Sequence, residues 1–450
     1  MHDTTFTPQG DTRTVDCCVV GGGPGGAVLA LLLARQGVSV LLLEAHQDFE
    51  REFRGDTVHP STQELLDELG LYERVLELPH AILADFPTHY PDGTVSARQP
   101  PRVRSKHPLV MDVPQGRLIE LLMDEAKRYP GFDLKLGARV EELIERDGAV
   151  RGVRYRAADG WHEVRATLVV GADGRFSKVR QLAGMQLEGK PEPFDLLWVR
   201  LPRVASDPER GHGIYLGADD FVAIQAREEE WQVGYVFARG AYQQVRAEGL
   251  EALRQSIARL APFLADRVGH LQRWQQTSLL QVVVGRVRRW YRPGLLLIGD
   301  AAHVMSPVGG VGINYAIQDA VVASNLIGPH LRGGTLRTHH LASVQRRREL
   351  PTRVMQALQR KMRAQLPLPG GQPSRPPLTA GLIRLPVLRE VPARLIAFGG
   401  FRPARVAPIG PARAGLLSRL GAWCANALEA YGRTSMPGLP IIPTWPRQDF

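Results

Sequence analysis

The segment that decides the fold is VDCCVVGGGPGGAVLALLLARQGVSVLLLE, residues 15–44. Val15 to Val20 are short, apolar and rich in β-branched residues, the pattern of a buried strand. Gly21 to Gly26 form a glycine-rich turn. Ala27 to Gln36 are strong helix formers, and Gly37 stops the helix. Val38 to Leu43 make a second buried strand that ends at Glu44, completing a βαβ unit. Gly21, Gly23 and Gly26 fit the spacing G-x-G-x-x-G, and each has a physical task. Gly21 permits the tight turn out of the strand, Gly23 lets a pyrophosphate approach the backbone, and Gly26 lets the helix pack close to the sheet. The start of the helix then presents unpaired N–H groups and a partial positive charge to phosphates. Glu44 stands 18 residues beyond Gly26, where its carboxylate can accept hydrogen bonds from an adenosine ribose. The unit reads as a dinucleotide site and leaves open whether the ligand is NAD or FAD.

Two motifs further along decide for FAD. VVGADGRFS (residues 169–177) and LIGDAAH (residues 297–303) each follow a strand. They place Asp173 and Asp300 at strand C-termini, where ligands of open α/β sheets bind. A carboxylate there can accept from sugar or ribityl hydroxyls. The second motif runs on through SPVGGVGIN (residues 306–314) into a helix. Amides at that helix start suit an aromatic ring carrying negative charge, as reduced flavin does on its N1–C2=O edge.

The remaining pattern fits a sheet-rich α/β chain. Ser61 and Glu64 have the spacing of a capping box for a helix through Leu69. Leu109 to Val113 read as a strand, and Pro114 opens a helix to about Arg128. Strands follow at Ala138–Ile144, Ala149–Tyr155 and Leu168–Val170. From about Pro191 to Val287, alternating segments such as Gly213–Leu216, Val222–Ala226 and Gln232–Phe237 predict an antiparallel sheet. The helix Leu250–Leu260 interrupts that sheet. Leu295–Ile298 returns to the buried-strand pattern, and long helices follow near Val311–Ile327 and His340–Arg363.

With three motifs in this order, residues 14 to 365 resemble the flavin monooxygenases of the p-hydroxybenzoate hydroxylase class, which include the ubiquinone-biosynthesis hydroxylases. The resemblance implies a discontinuous, Rossmann-like FAD-binding domain in an α/β fold, with an antiparallel-sheet substrate domain and a C-terminal helical and loop extension. The FAD domain takes residues 1–85, 105–190 and 290–365, the last with the long helices. A substrate-domain insertion takes 86–104, the substrate sheet 191–289, and the extension 366–450. Carried over by motif, Gly21, Gly23, Gly25 and Gly26 match the phosphate loop. Glu44, with Ala45 beside it, matches the ribose site. Arg54 matches an arginine near the pyrophosphate, and Gln115 a glutamine contacting FAD. Asp173 matches a contact to FAD and NAD(P)H, and Asp300 the ribityl and pyrophosphate aspartate. Pro307, Gly312, Ile313 and Asn314 match the segment beside the isoalloxazine ring. His59 is the one catalytic candidate; His303 reads as structural.

The implied reaction is hydride transfer from NADPH or NADH to FAD, formation of a hydroperoxyflavin with O2, and transfer of one oxygen to an aromatic, quinone-like or polycyclic substrate. One dinucleotide fold is present, so NAD(P)H binds transiently. An FAD-dependent reductase or halogenase uses the same scaffold, although the WxWxIP motif of tryptophan-type halogenases is absent. A non-catalytic binding protein is the alternative of another class.

Composition narrows the remainder. The 450 residues are 44% apolar and 23% charged, ordinary for a folded soluble chain. The formal charge of +10 sits mostly beyond Leu366, in a segment with ten Arg and three acids. The body is nearly balanced, which argues against a nucleic-acid partner. Cys17, Cys18 and Cys424 form no C-x-x-C or zinc spacing, so no metal site and a reducing, cytoplasmic compartment are expected. Within the basic tail, Ala412 to Arg433 read as an amphipathic helix, which allows peripheral contact with an anionic membrane.

Overall fold

The computed structural model describes residues 12–49, 56–83, 85–96, 103–208, 211–218, 220–227, 229–364, 394–399 and 404–407. Met1–Val406 form one compact unit and Ala407–Phe450 a second, of which only Ala407 is described. Arg54 and the segment Ala412–Arg433 lie outside the described residues.

The strand Arg13–Val20 is the centre of the first sheet. It pairs in parallel with Val40–Leu43 on one side and Gly160–Gly171 on the other. Phe132–Lys135 extends the first side, and Leu295–Leu297 the second, both in parallel. The register matters more than the count. Val20 lies opposite both Leu43 and Gly171, and Gly171 lies opposite Leu297. Chain segments hundreds of residues apart therefore leave the sheet at one edge, side by side. Gly21 N donates to Leu43 O at 2.8 Å, Ala172 N to Val20 O at 2.8 Å, and Ile298 N to Gly171 O at 3.0 Å.

Pro24–Arg35 is apolar on every side, which only a fully buried helix can be. Gly25 through Ala34 are all buried. One face meets the sheet, and another meets the helix Gly312–Arg332, whose Ile317, Ala320 and Val321 belong to the same core. Contact is close because side chains are missing there: a Cβ on Gly25 would stand 3.1 Å from Ala316, and one on Gly299 2.9 Å from it.

A second sheet is antiparallel at its centre, in the order Ser278–Val287, Leu187–Pro202, Glu230–Ala238, Phe221–Ala226 and Gly213–Leu216. Thr88–His89 and Val95–Ser96, from the other side of the chain, add to its edge. The helix Leu250–Leu260 covers one face, burying Leu253, Ile257 and Leu260 against Val222, Ile224 and Trp231. A small third sheet, Thr57–Val58, Val110–Asp112 and Ala81–Leu83, lies in the same unit.

The capping-box expectation at Ser61 is corrected. The helix is Pro60–Glu68, with His59 at the cap and Pro60 in the first turn. Ser61 is buried inside the helix with its hydroxyl unpartnered. A proline with φ already set begins the helix two residues before the Ser-x-x-Glu spacing suggests. Of the aromatic residues on the second sheet, Trp231, Phe237, Tyr215 and Phe221 are core. No helix among the described residues is long and apolar enough to cross a membrane.

Candidate active site

Each of the three motifs brings its own residues to the shared edge. Gly21 has φ +105, and a Cβ there would lie 2.5 Å from Ala172 O. A Cβ on Gly26 would lie 2.0 Å from Gly21 O. These two glycines are demanded by the protein's own backbone. Gly23 is different: its φ is −70, and a Cβ would meet nothing within 4 Å. Gly312, at the start of the other helix, also opens on empty space. The first-turn amides of both helices lack carbonyl partners of their own by helix geometry. The two open helix starts, on helices that share one core, frame a cradle for a ligand.

Glu44 is buried and already engaged. It accepts from Gly22 N at 2.8 Å and from His46 N at 2.9 Å, so it holds the phosphate-loop backbone in place. Ala45 beside it is exposed. Asp173 accepts from Ser177 Oγ at 2.5 Å and from Val179 N at 3.0 Å, which ties it to its own turn. Burial raises its carboxyl above the usual range despite those bonds. Asp300 is half-buried, and no described residue donates a hydrogen bond to it. Gln115 is buried, and its backbone N donates to Asp56 Oδ1 at 3.1 Å.

Asn314 has no free side-chain valence. Its Oδ1 accepts from His59 N at 2.9 Å and Thr62 Oγ1 at 2.8 Å; its Nδ2 donates to Thr57 O at 2.9 Å and Gly310 O at 3.3 Å. Only its main chain is left to face a ligand. Pro307 and Ile313 flank it, both half-buried. His59 is buried, and its Nε2–H donates to Gly309 O at 3.1 Å. Burial pushes its imidazole down to about 4, against the raising effect of the Gly309 and Gly310 carbonyls. It is therefore a neutral clamp on the turn, not a cation.

Sequence reading missed most of the residues that hold this edge rigid; His303, read as structural, is the exception. Arg180 donates to Ala301 O at 3.1 Å and to Arg175 O at 2.7 Å, bolting the second motif to the third. Gln359 Nε2 donates to Ser306 O and Val308 O, both at 2.8 Å, and fixes the approach to Pro307. His303 is buried and shares Asp319 with Arg348: His303 Nε2 lies 2.6 Å from Asp319 Oδ2, and Arg348 Nε donates to Asp319 Oδ1 at 2.7 Å. Gly299 N adds a third donor at 2.9 Å. Burial opposes the charge on Asp319, yet His303 and Arg348 hold its carboxyl down to about 2. Glutamines and a helix-interior aspartate carry no spacing signature. Of the residues missed, only Arg180, three residues past Ser177 in the second motif, stood near a readable pattern.

Residues 14–358 match the model of the FAD binding domain family. The chain belongs to that family. It is thus an FAD-dependent oxidoreductase, and the cradle beside Gly23 and Gly312 fits such a ligand. The 6-methylpretetramide 4-monooxygenase of Streptomyces rimosus is 35% identical over 399 residues, covering 87% of this chain and 94% of that protein. The rifampicin monooxygenase of Streptomyces venezuelae is 30% identical over 344 residues, covering 72% and 67%. The solved anhydrotetracycline hydroxylase of Streptomyces rimosus superposes with a TM-score of 0.68 at 25% identity, covering 87% of this flavoprotein and 77% of that chain.

Proposed function

We propose that this flavoprotein monooxygenase uses NAD(P)H and O2 to oxygenate an aromatic, polycyclic or quinone-like small molecule. One observation carries the reading: the register that brings three separated motifs to one sheet edge, around a cradle left open at Gly23 and Gly312. Two relatives, a 6-methylpretetramide and a rifampicin monooxygenase, support the substrate class.

In this reading the helix starts at Pro24 and Gly312 bind the pyrophosphate and the ring edge. Asp300 accepts ribityl or pyrophosphate-side hydroxyls, and Glu44 holds the loop and lies at the ribose. FAD, when bound, supplies the redox and oxygen chemistry. The chain supplies orientation and exclusion of water. Its neutral His59 fixes the Gly309 turn without adding charge beside the ring. The substrate lies between this edge and the second sheet.

Candidate aromatics are screened for those that accelerate NAD(P)H consumption. The expected product is heavier by one oxygen atom. A product gaining two hydrogens, or a halogen, overturns the monooxygenase reading in favour of another chemistry on the scaffold.

Asp300→Ala is expected to weaken FAD binding by roughly tenfold or more, because a hydrogen bond to a charged acceptor contributes about 1.5–3 kcal/mol. Fluorescence titration of the apoprotein measures it. Unchanged affinity removes Asp300 from the site.

The basic tail carries a separate reading from its charge alone. It gives reversible contact with anionic vesicles that salt weakens. Co-sedimentation of the full chain and of one truncated after Pro411 tests this. Equal, salt-independent recovery of both in the supernatant removes it.

A further inference from the structure

Asp112 is 5% exposed, and no described residue makes a well-formed hydrogen bond to its carboxyl oxygens; the hydroxyl of Thr57, its register partner, is the side-chain donor that acts on it. A buried carboxylate left in that condition is costly, so the observation asks for a proton. A second buried carboxylate, Asp56, flanks its register partner Thr57. Among the described residues, the cation ion-paired to these two acids is Arg227, on Asp56. Among the described residues, Arg200 and Glu230 also act on the pair, both at Asp56.

The cluster is wired across the two halves of the site. Arg227 donates to Gln232 Oε1, Gln232 Nε2 donates to Gln225 Oε1 at 3.0 Å, and Gln225 Nε2 reaches Thr57 Oγ1 at 3.5 Å. Gln225 and Gln232 stand on the second sheet; Thr57 and Asp112 stand on the third. Thr57 Oγ1 also lies against the turn beside the flavin cradle, 3.0 Å from where a Cβ on Gly310 would be.

We propose that the Asp56–Asp112 pair stores one proton and exchanges it, through the Thr57 hydroxyl, with a hydroxyl-bearing substrate seated against the Gly309–Gly310 turn. The inference rests on the functional reading above. When the pair accepts, the substrate O–H bond breaks and its proton passes to Thr57 Oγ. Thr57 gives its own proton to the Asp112 carboxylate. The negative charge moves from the pair to the substrate oxygen, and nothing is oxidised or reduced. Asp112 acts through Thr57 and is a positioning residue. Burial supports the assignment: it raises Asp112 to about 7, with Asp56 adding and Thr57 and Arg227 opposing, and it raises Asp56 to about 6. A store with these values changes its proton count across the neutral range.

The test uses FAD-loaded protein and p-nitrophenol, whose neutral and ionised forms absorb differently. Difference spectra across pH 5 to 9 read its ionisation with wild type, Asp112→Asn, Asp112→Glu and Thr57→Val. Wild type is expected to shift the ionisation curve relative to buffer, Asp112→Glu to keep most of the shift, and Asp112→Asn and Thr57→Val to lose it. Infrared spectra of the same samples without p-nitrophenol should show a protonated-carboxyl band that titrates near neutrality. That band should be absent in Asp112→Asn and present in Thr57→Val. An ionisation curve that wild type leaves unmoved, or a band that Asp112→Asn retains, overturns the proposal. Flavin content and product mass are read separately, so a failure here is distinct from a failure of the monooxygenase reading.

Discussion

Gly23→Val should fold and lose its flavin, whereas Gly26→Ala should fail to fold well. The two glycines stand three residues apart in one motif, yet the protein treats them oppositely. At Gly23, φ is −70 and an added Cβ meets no protein atom within 4 Å, so a side chain starts into open space there. It enters the space the pyrophosphate needs and removes the close backbone approach on which phosphate binding depends. Losing several amide contacts to a charged group, at about 1.5–3 kcal/mol each, corresponds to at least a hundredfold in affinity. At Gly26 even a methyl group lands 2.0 Å from Gly21 O, a backbone atom that cannot move without breaking the turn. Overpacking of that kind costs about 1–3 kcal/mol or more, here at the centre of the largest core. Circular dichroism and thermal melts of the apoproteins, with FAD titrations, separate the two. A Gly23→Val protein that binds FAD like wild type would falsify the cradle. A Gly26→Ala protein as stable as wild type would refute the packing argument.

The second large effect is expected at Asp319. Asp319→Asn keeps the volume and removes the charge that His303 and Arg348 share. Breaking a buried pair by removing one partner costs about 3–5 kcal/mol, because Arg348 is left charged and buried. The pH dependence has a definite sign. The folded carboxyl lies at about 2, below its unfolded value of about 3.9, so its contribution is present above that value and is lost as pH falls through 2. The wild type should therefore lose most of its advantage over Asp319→Asn between about pH 4 and pH 2. Urea unfolding at pH 7 and at pH 3 measures both claims. A difference below about 1 kcal/mol at pH 7 would sink them. The same change should loosen Gly299, whose N–H binds Asp319 next to Asp300, and so weaken flavin binding as a second readout.

How much of this was legible depended on the range over which each interaction acts. The βαβ unit was readable because its strand, turn, helix and acid are contiguous and its period is local. The helix Leu250–Leu260 was readable to the residue for the same reason. The long strands Leu187–Pro202 and Ser278–Val287 did not stand out, since their partners lie far along the chain and their alternation is broken by a bulge between Pro191 and Asp195. At the candidate site, the sequence singled out Asp300 and Asn314 but not their contrasting states. No described residue donates to Asp300, while Asn314 has its side chain consumed by His59, Thr62, Thr57 and Gly310. The Asp319 and Asp112 clusters were invisible: each joins residues that share no spacing and meet only through tertiary packing.

The register that gathers three distant turns at one sheet edge also sets a timetable for biosynthesis. The strand Arg13–Val20 needs Gly160–Gly171 beside it, and the helix that packs on Pro24–Arg35 begins only at Gly312. At ribosomal speeds of about 5–20 residues per second, the nascent chain waits roughly 15–60 s between making its phosphate loop and making the helix that closes the cradle. During that interval the wholly apolar helix Pro24–Arg35 has no permanent cover for the face that later meets Gly312–Arg332. Until residue 312 has been made, the segments that meet at this edge are not all present, so flavin cannot template the first sheet during synthesis, and the exposed face of that helix calls for chaperone cover in the interval.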